Sequence, residues 1–101
     1  MKNIRVDYGV CTSFQFTLTD GNFGGAKEIV FAIKNKVEDE TPVVERHYTQ
    51  TGTYVEKITA EESYLIQRNA VYDFARIMPN GDAYKLTPNG AIDLNKGVYR
   101  E

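Results

Sequence analysis

Apolar and polar residues alternate with a period of two through segment after segment of this 101-residue chain, and that pattern limits its fold more than any other feature. Successive side chains of a β-strand point to opposite faces, so a period of two marks a strand with one face buried. Phe14, Phe16 and Leu18 alternate with Gln15, Thr17 and Thr19. Ile29, Phe31 and Ile33 alternate with Val30, Ala32 and Lys34. This second run is apolar on both faces at its centre, which predicts a central position in its sheet. From Val43 to Gln50, Val44 and Tyr48 share one face while Val43, Glu45 and His47 share the other. After a turn at Thr51-Gly52 the strand pattern resumes from Tyr54 to Ile58. These two strands are amphipathic and fairly polar, and are expected near a sheet edge.

The punctuation between strands is equally regular. Asp20-Gly21-Asn22-Phe23-Gly24-Gly25 is rich in residues that tolerate positive φ and reads as a loop. Thr59-Ala60-Glu61-Glu62 is a helix start: the threonine hydroxyl caps, and the glutamate three residues on reaches back to the threonine amide. The helix is expected to continue for about two turns, near residues 60–68, with Asn69 as its C-terminal cap. A helix so short needs Leu65 or Ile66 packed against a sheet to persist. In the last third, Val71 to Met78 and Ala83 to Thr87 flank Pro79-Asn80-Gly81, and Asn-Gly is a strong hairpin signal. A second Pro-Asn-Gly turn, Pro88 to Gly90, leads to a strand from Ala91 to Leu94 and a last short one, Val98-Tyr99-Arg100, so the region is expected to form a β-meander. Eight to nine short strands with a turn every 8–12 residues predict a mostly β domain, a sandwich or a small barrel, with the sandwich preferred.

Length supports one domain over residues 1–101, because a chain of this size buries roughly two-thirds of the surface that its unfolded form exposes. Any site is expected to be shallow. The net charge is −2, and the twelve Lys and Arg are scattered among fourteen Asp and Glu. Phosphate neutralisation supplies much of nucleic-acid affinity, so this balance argues against a nucleic-acid partner. The longest apolar run, Ile29 to Ile33, is far too short to span a bilayer, and no membrane partner is expected. The N-terminus alternates charged and apolar groups rather than presenting the apolar core of a signal peptide, and a lone cysteine suits a reducing compartment, so cytoplasmic synthesis is expected.

Reactive groups are few. Cys11 and His47 are the only thiol and imidazole, and a nucleophile pair would need them adjacent with a third group orienting the base. Structural zinc needs four Cys and His ligands, and the chain has two. Asp20, Asn22 and Glu38-Asp39-Glu40 carry oxygens suited to calcium but match no EF-hand spacing. Gly21, Gly24 and Gly25 lack the Gly-Lys-Ser/Thr ending of a phosphate loop. Asp73, within an otherwise apolar strand, reads as a hydrogen-bond anchor served by Arg76 or a backbone turn. No catalytic residue, cofactor or metal is expected, and the protein is not read as an enzyme. Seven tyrosines stand out, because tyrosine suits a surface that is dry on one side and wet on the other. Tyr48, Tyr54, Tyr84 and Tyr99 are the candidate interface. They serve either a protein partner or a ligand-binding β-module of OB type, for carbohydrate or single-stranded nucleic acid.

The order of these pieces resembles a known group. A strand ending in Ile33-Lys34 is followed by an acidic loop and by Ile58-Thr59-Ala60-Glu61-Glu62-Ser63. Then come Ala70-Val71-Tyr72-Asp73-Phe74, Asn80-Gly81-Asp82, Gly90-Ala91-Ile92-Asp93-Leu94 and Gly97-Val98. From Phe14 onward the chain resembles the immunoglobulin-like N-terminal domain of phage baseplate upper proteins and related small tail proteins of phages and prophages. The resemblance implies an Ig-like antiparallel β-sandwich and a structural role in a tail or baseplate. It also implies partners among other tail or baseplate proteins, or self-association, and a location in the host cytoplasm and then the virion.

Overall fold

The computed structural model describes residues 3–36, 38–86 and 90–95. The chain is mostly β. Its elements run β1 (Ile4–Asp7), β2 (Thr12–Leu18), α1 (Asp20–Phe23), β3 (Glu28–Lys34), β4 (Val44–Tyr48), β5 (Gly52–Ile58), α2 (Ala60–Ser63), β6 (Val71–Ile77), β7 (Ala83–Lys85) and β8 (Gly90–Asn95). They form two sheets. The larger runs in the order β1-β8-β6-β3-β4, with β7 also on β6, and the smaller is the pair β2-β5. This order matches the C–F–G and B–E pairings of immunoglobulin-type sandwiches.

The alternation explains the burial. Ile29, Phe31 and Ile33 of β3 are fully buried, and β3 lies between β4 and β6 as its two-faced apolar centre predicts. The smaller sheet answers with Phe14, Phe16 and Leu18. The rings of Phe14 and Phe74 each lie 5.2 Å from Phe31, while Phe16 lies 5.1 Å from Phe74 and 5.2 Å from Tyr48. Aromatic pairs at these separations contribute about 0.5–1.5 kcal/mol each beyond the area they bury. The two sheets are therefore joined by interlocking rings at the centre.

Several connections differ from expectation. Asp20–Phe23 is a helical turn rather than a loop: Thr19 caps it, and Asn22 completes the reciprocal pair by accepting from the Thr19 amide at 2.7 Å. β2 and β3 lie in different sheets, so this segment crosses the sandwich and is not a hairpin. At Thr59 the capping box is present, but the helix covers only Ala60–Ser63. Asn69 adopts positive φ beyond it without capping it. Ile66 is buried and Leu65 is exposed, which decides between the two predicted anchors.

Pro79-Asn80-Gly81 does turn β6 into β7, as a three-residue loop. The Gly81 amide donates to Met78 O and the Met78 amide to Asp82 O, both at 2.8 Å, with Gly81 at φ 95°. The meander does not continue, because β8 pairs with Val71 and Tyr72 of β6 and not with β7. β7 and β8 thus share one flank of a single strand. β8 also pairs with β1 in parallel, so the sandwich is not wholly antiparallel. Pro88-Asn89 of the second turn and Val98-Tyr99-Arg100 lie outside the described residues.

Candidate interaction surfaces

One end of the sandwich gathers the β1–β2 turn, the β3–β4 connection and the segment after α2. Tyr64 and Leu65 are 48% and 56% exposed there. They follow directly on a capped helical turn, and Ile66, buried beneath them, sets the direction of the chain. Their backbone is held by distant parts of the sequence. Tyr8 stands edge-on to the Tyr64 ring at 5.1 Å, and its hydroxyl donates to Tyr64 O at 3.3 Å. Asn35 brackets the next residues: its Nδ2 donates to Leu65 O at 3.1 Å, and its Oδ1 accepts from the Gln67 amide at 2.8 Å. Below them, buried Ser63 accepts from the Gly9 amide at 2.9 Å and donates to Ala60 O at 2.6 Å. Two large apolar side chains are therefore displayed to solvent on a backbone tied at each step. Adjacent exposed apolar side chains are one feature of interaction surfaces.

The tyrosines singled out from the sequence do not form one surface. Tyr48 is 5% exposed and part of the core, because the Val44–Tyr48 face of β4 is the inward one. Its burial, with the Glu56 carboxylate nearby, pushes the phenol well above its ordinary range. A ring so placed cannot meet a partner. Tyr54 is half-buried, stacks on Phe16 at 5.6 Å and donates to Gln50 O. Tyr84, on the exposed strand β7, is 55% exposed. Tyr99 lies outside the described residues. Tyr8, Tyr64 and Leu65 are the residues that sequence reasoning passed over. No local signal marked them, because the capping box fixes where α2 starts and not where it ends, and its end at Ser63 leaves Leu65 outside and Ile66 inside.

A lateral cleft of about 490 Å³ opens between β1 and β2. Phe14, Phe16, Tyr72 and Phe74 line its apolar floor, and Asn3, Ser13 and Gln15 are among its polar lining residues. Its composition suits an apolar side chain better than a charged ligand.

The chemical candidates are separated. Cys11 is exposed in the β1–β2 connection, while His47 projects from the outer face of β4. The His47 ring lies between two carboxylates, Nδ1 at 3.0 Å from Glu28 Oε1 and Nε2 at 2.9 Å from Glu45 Oε2. The hydrogen bond to Glu28 raises the imidazole pKa, against partial desolvation, and the charges of Glu28 and Glu45 add to the rise. The two acids occupy different ring nitrogens and do not converge on a common point. Among the described residues no three His, Cys, Asp or Glu side chains group so as to hold a metal ion.

Two of the groups considered for calcium serve turns instead. Asn22 completes the α1 cap, and Asp39 accepts from the Lys36 amide at 3.2 Å. Arg76 does not serve Asp73, because the two alternate to opposite faces of β6. It reaches the carbonyls of Asn22 at 2.6 Å and Gly21 at 3.0 Å, a cation set against the negative end of α1.

Comparison with known proteins gives no relative: no family model, no curated protein and no solved structure matches the chain.

Proposed function

We propose that this protein is an assembly module of a phage or prophage tail or baseplate, acting through protein–protein contacts made at the α2 end. The observation that carries the reading is the outward display of Tyr64 and Leu65 on a hydrogen-bonded backbone. Its further support is the resemblance of the chain from Phe14 onward to baseplate domains, together with a strand order of immunoglobulin type. A pair carried on a backbone that is already tied down suits a permanent joint, because less chain ordering is left to be lost on docking.

The test is co-purification of the protein with induced phage particles, followed by imaging of labelled particles. Wild type is expected in the particles. Tyr64→Ser with Leu65→Ser is expected to be lost from them, while its melting curve stays close to that of wild type. A protein missing from particles, and encoded away from tail genes, would overturn the proposal.

A further inference from the structure

The smaller sheet ends in an open strand. β5 pairs with β2 on one flank, and among the described residues no strand lies on the other. Two contacts show which backbone groups face that open flank. The hydroxyls of Thr17 and Thr53, opposite each other in the register, are 3.0 Å apart. Side chains approach so closely in the pairs that do not exchange backbone hydrogen bonds. Four residues along, in the same phase, Lys57 O accepts from Arg46 Nη2 at 3.1 Å and so points away from β2. Pair types alternate along an antiparallel ladder. Thr53, Val55 and Lys57 therefore all turn their N–H and C=O groups to the open flank. Val55, at the middle of the strand, has the greatest exposure of the described large apolar residues, 67%.

We propose that β5 is a self-association edge. Two copies pair antiparallel about a two-fold axis through Val55, and the two small sheets become one four-stranded sheet. The charge pattern selects a second copy as the occupant. In this register Val55 meets Val55 of the second copy, Thr53 meets Lys57, and Tyr54 meets Glu56. No like charges are opposed, and each charged residue faces a neutral hydrogen-bonding one. The interface is self-complementary, as a two-fold contact requires.

The other open edges do not share this property. The same operation on β4 about its middle residue would set Arg46 against Arg46, and the outer flank of β2 runs beside β1 at the lateral cleft. Lys57 O can keep its bond to Arg46, since a carbonyl accepts two. A two-stranded sheet is marginal by itself and four strands are not, so pairing serves the weaker layer of the sandwich. The edge carries no proline and only Lys57 as a charged guard on its outer face.

Sedimentation equilibrium on the full chain over a concentration series tests this. Wild type is expected to pass from monomer to dimer mass. Val55→Lys would oppose two ammonium groups at the axis and is expected to stay monomeric at every concentration. Thr53→Glu sets a carboxylate against Lys57 of the second copy, and each of the two equivalent pairs is expected to tighten the dimer by up to about five-fold. Thermal melts of both variants check that the fold persists. A monomeric wild type, or a dimer indifferent to Val55→Lys, would overturn the proposal. Its outcome is separate from the particle experiment, which depends on Tyr64 and Leu65.

Discussion

Arg46 and Glu62 meet across the mouth of the sandwich, one guanidinium nitrogen donating to both carboxylate oxygens at 2.8 and 3.0 Å. Arg46 belongs to the inward face of β4, opposite Phe31 in the register, where an apolar residue would be expected. It avoids an unpaired burial by reaching the Lys57 end of β5. There it donates to Lys57 O, and it lies 3.6 Å from Glu56. Glu62 in turn accepts from the Thr59 amide at 3.0 Å as part of the capping box. One carboxylate thus fastens α2 to its own first turn and to the larger sheet. Both side chains are about one-quarter exposed, 27% and 24%. Arg46→Ala, which leaves Glu62 without its cation, is expected to cost about 1.5–3 kcal/mol. For a domain of this length each kcal/mol lowers the melting temperature by about 4–8 °C. Glu62→Gln keeps an oxygen for the cap and is expected to cost less than Arg46→Ala in the same melt.

The same carboxylate makes stability depend on acid. Burial alone would raise the Glu62 pKa, but hydrogen bonds from Arg46 and Thr59 outweigh it and hold the group below its ordinary 4.5. A carboxylate whose folded pKa is depressed binds its proton more weakly folded than unfolded. Its contribution is complete above about pH 4.5 and is lost as pH falls through the lower folded value. Urea titrations at pH 6 and pH 3 are expected to show a smaller acid-induced loss of stability in Glu62→Gln than in wild type. Equal losses in the two proteins would refute the assignment.

How far the sequence carries can be judged on particular residues. β3 was legible because Ile29, Phe31 and Ile33 alternate with residues that are themselves partly apolar, a pattern that only a central strand tolerates. The Thr59 cap was legible because it is local chemistry over four residues. The length of α2 was not, because its end is set by where Ile66 finds the core, a tertiary event. The place of β8 was not, because a turn signal joins neighbours in sequence while β8 chooses β1 and β6, far from it in the chain. Tyr48 shows the limit for surfaces. Period two put it on the same face as Val44, but nothing local said that this face was the inward one.

The ring cluster joining the sheets makes its own prediction. Phe31 is fully buried and touches rings from β2 and from β6. Phe31→Ala removes those contacts and leaves a cavity between two layers that cannot close on it. The expected cost is about 3–5 kcal/mol, a large share of the 5–15 kcal/mol by which such domains are usually stable. Urea denaturation is expected to show a much lower midpoint with an unchanged slope. A loss below about 1 kcal/mol would mean that the sheets are not joined at this ring.

Gly24 distinguishes a capped helical turn at α1 from a flexible loop, since the two respond differently to substitution there. It ends α1 in the left-handed region at φ 52°, with its amide donating to Asp20 O. A β-carbon added there would lie 3.2 Å from Arg76 Cζ, the guanidinium that holds the α1 carbonyls. Gly24→Ala therefore suffers twice, from the backbone conformation and from displacement of Arg76. The expected loss is about 1–2 kcal/mol. Asparagine visits the left-handed region more readily than alanine but displaces Arg76 just as much, so Gly24→Asn is expected to recover only part of the loss. Arg76→Ala should then make Gly24→Ala cheaper, because the crowded partner is gone. Strictly additive melting shifts in the double variant would show that the two residues do not act together.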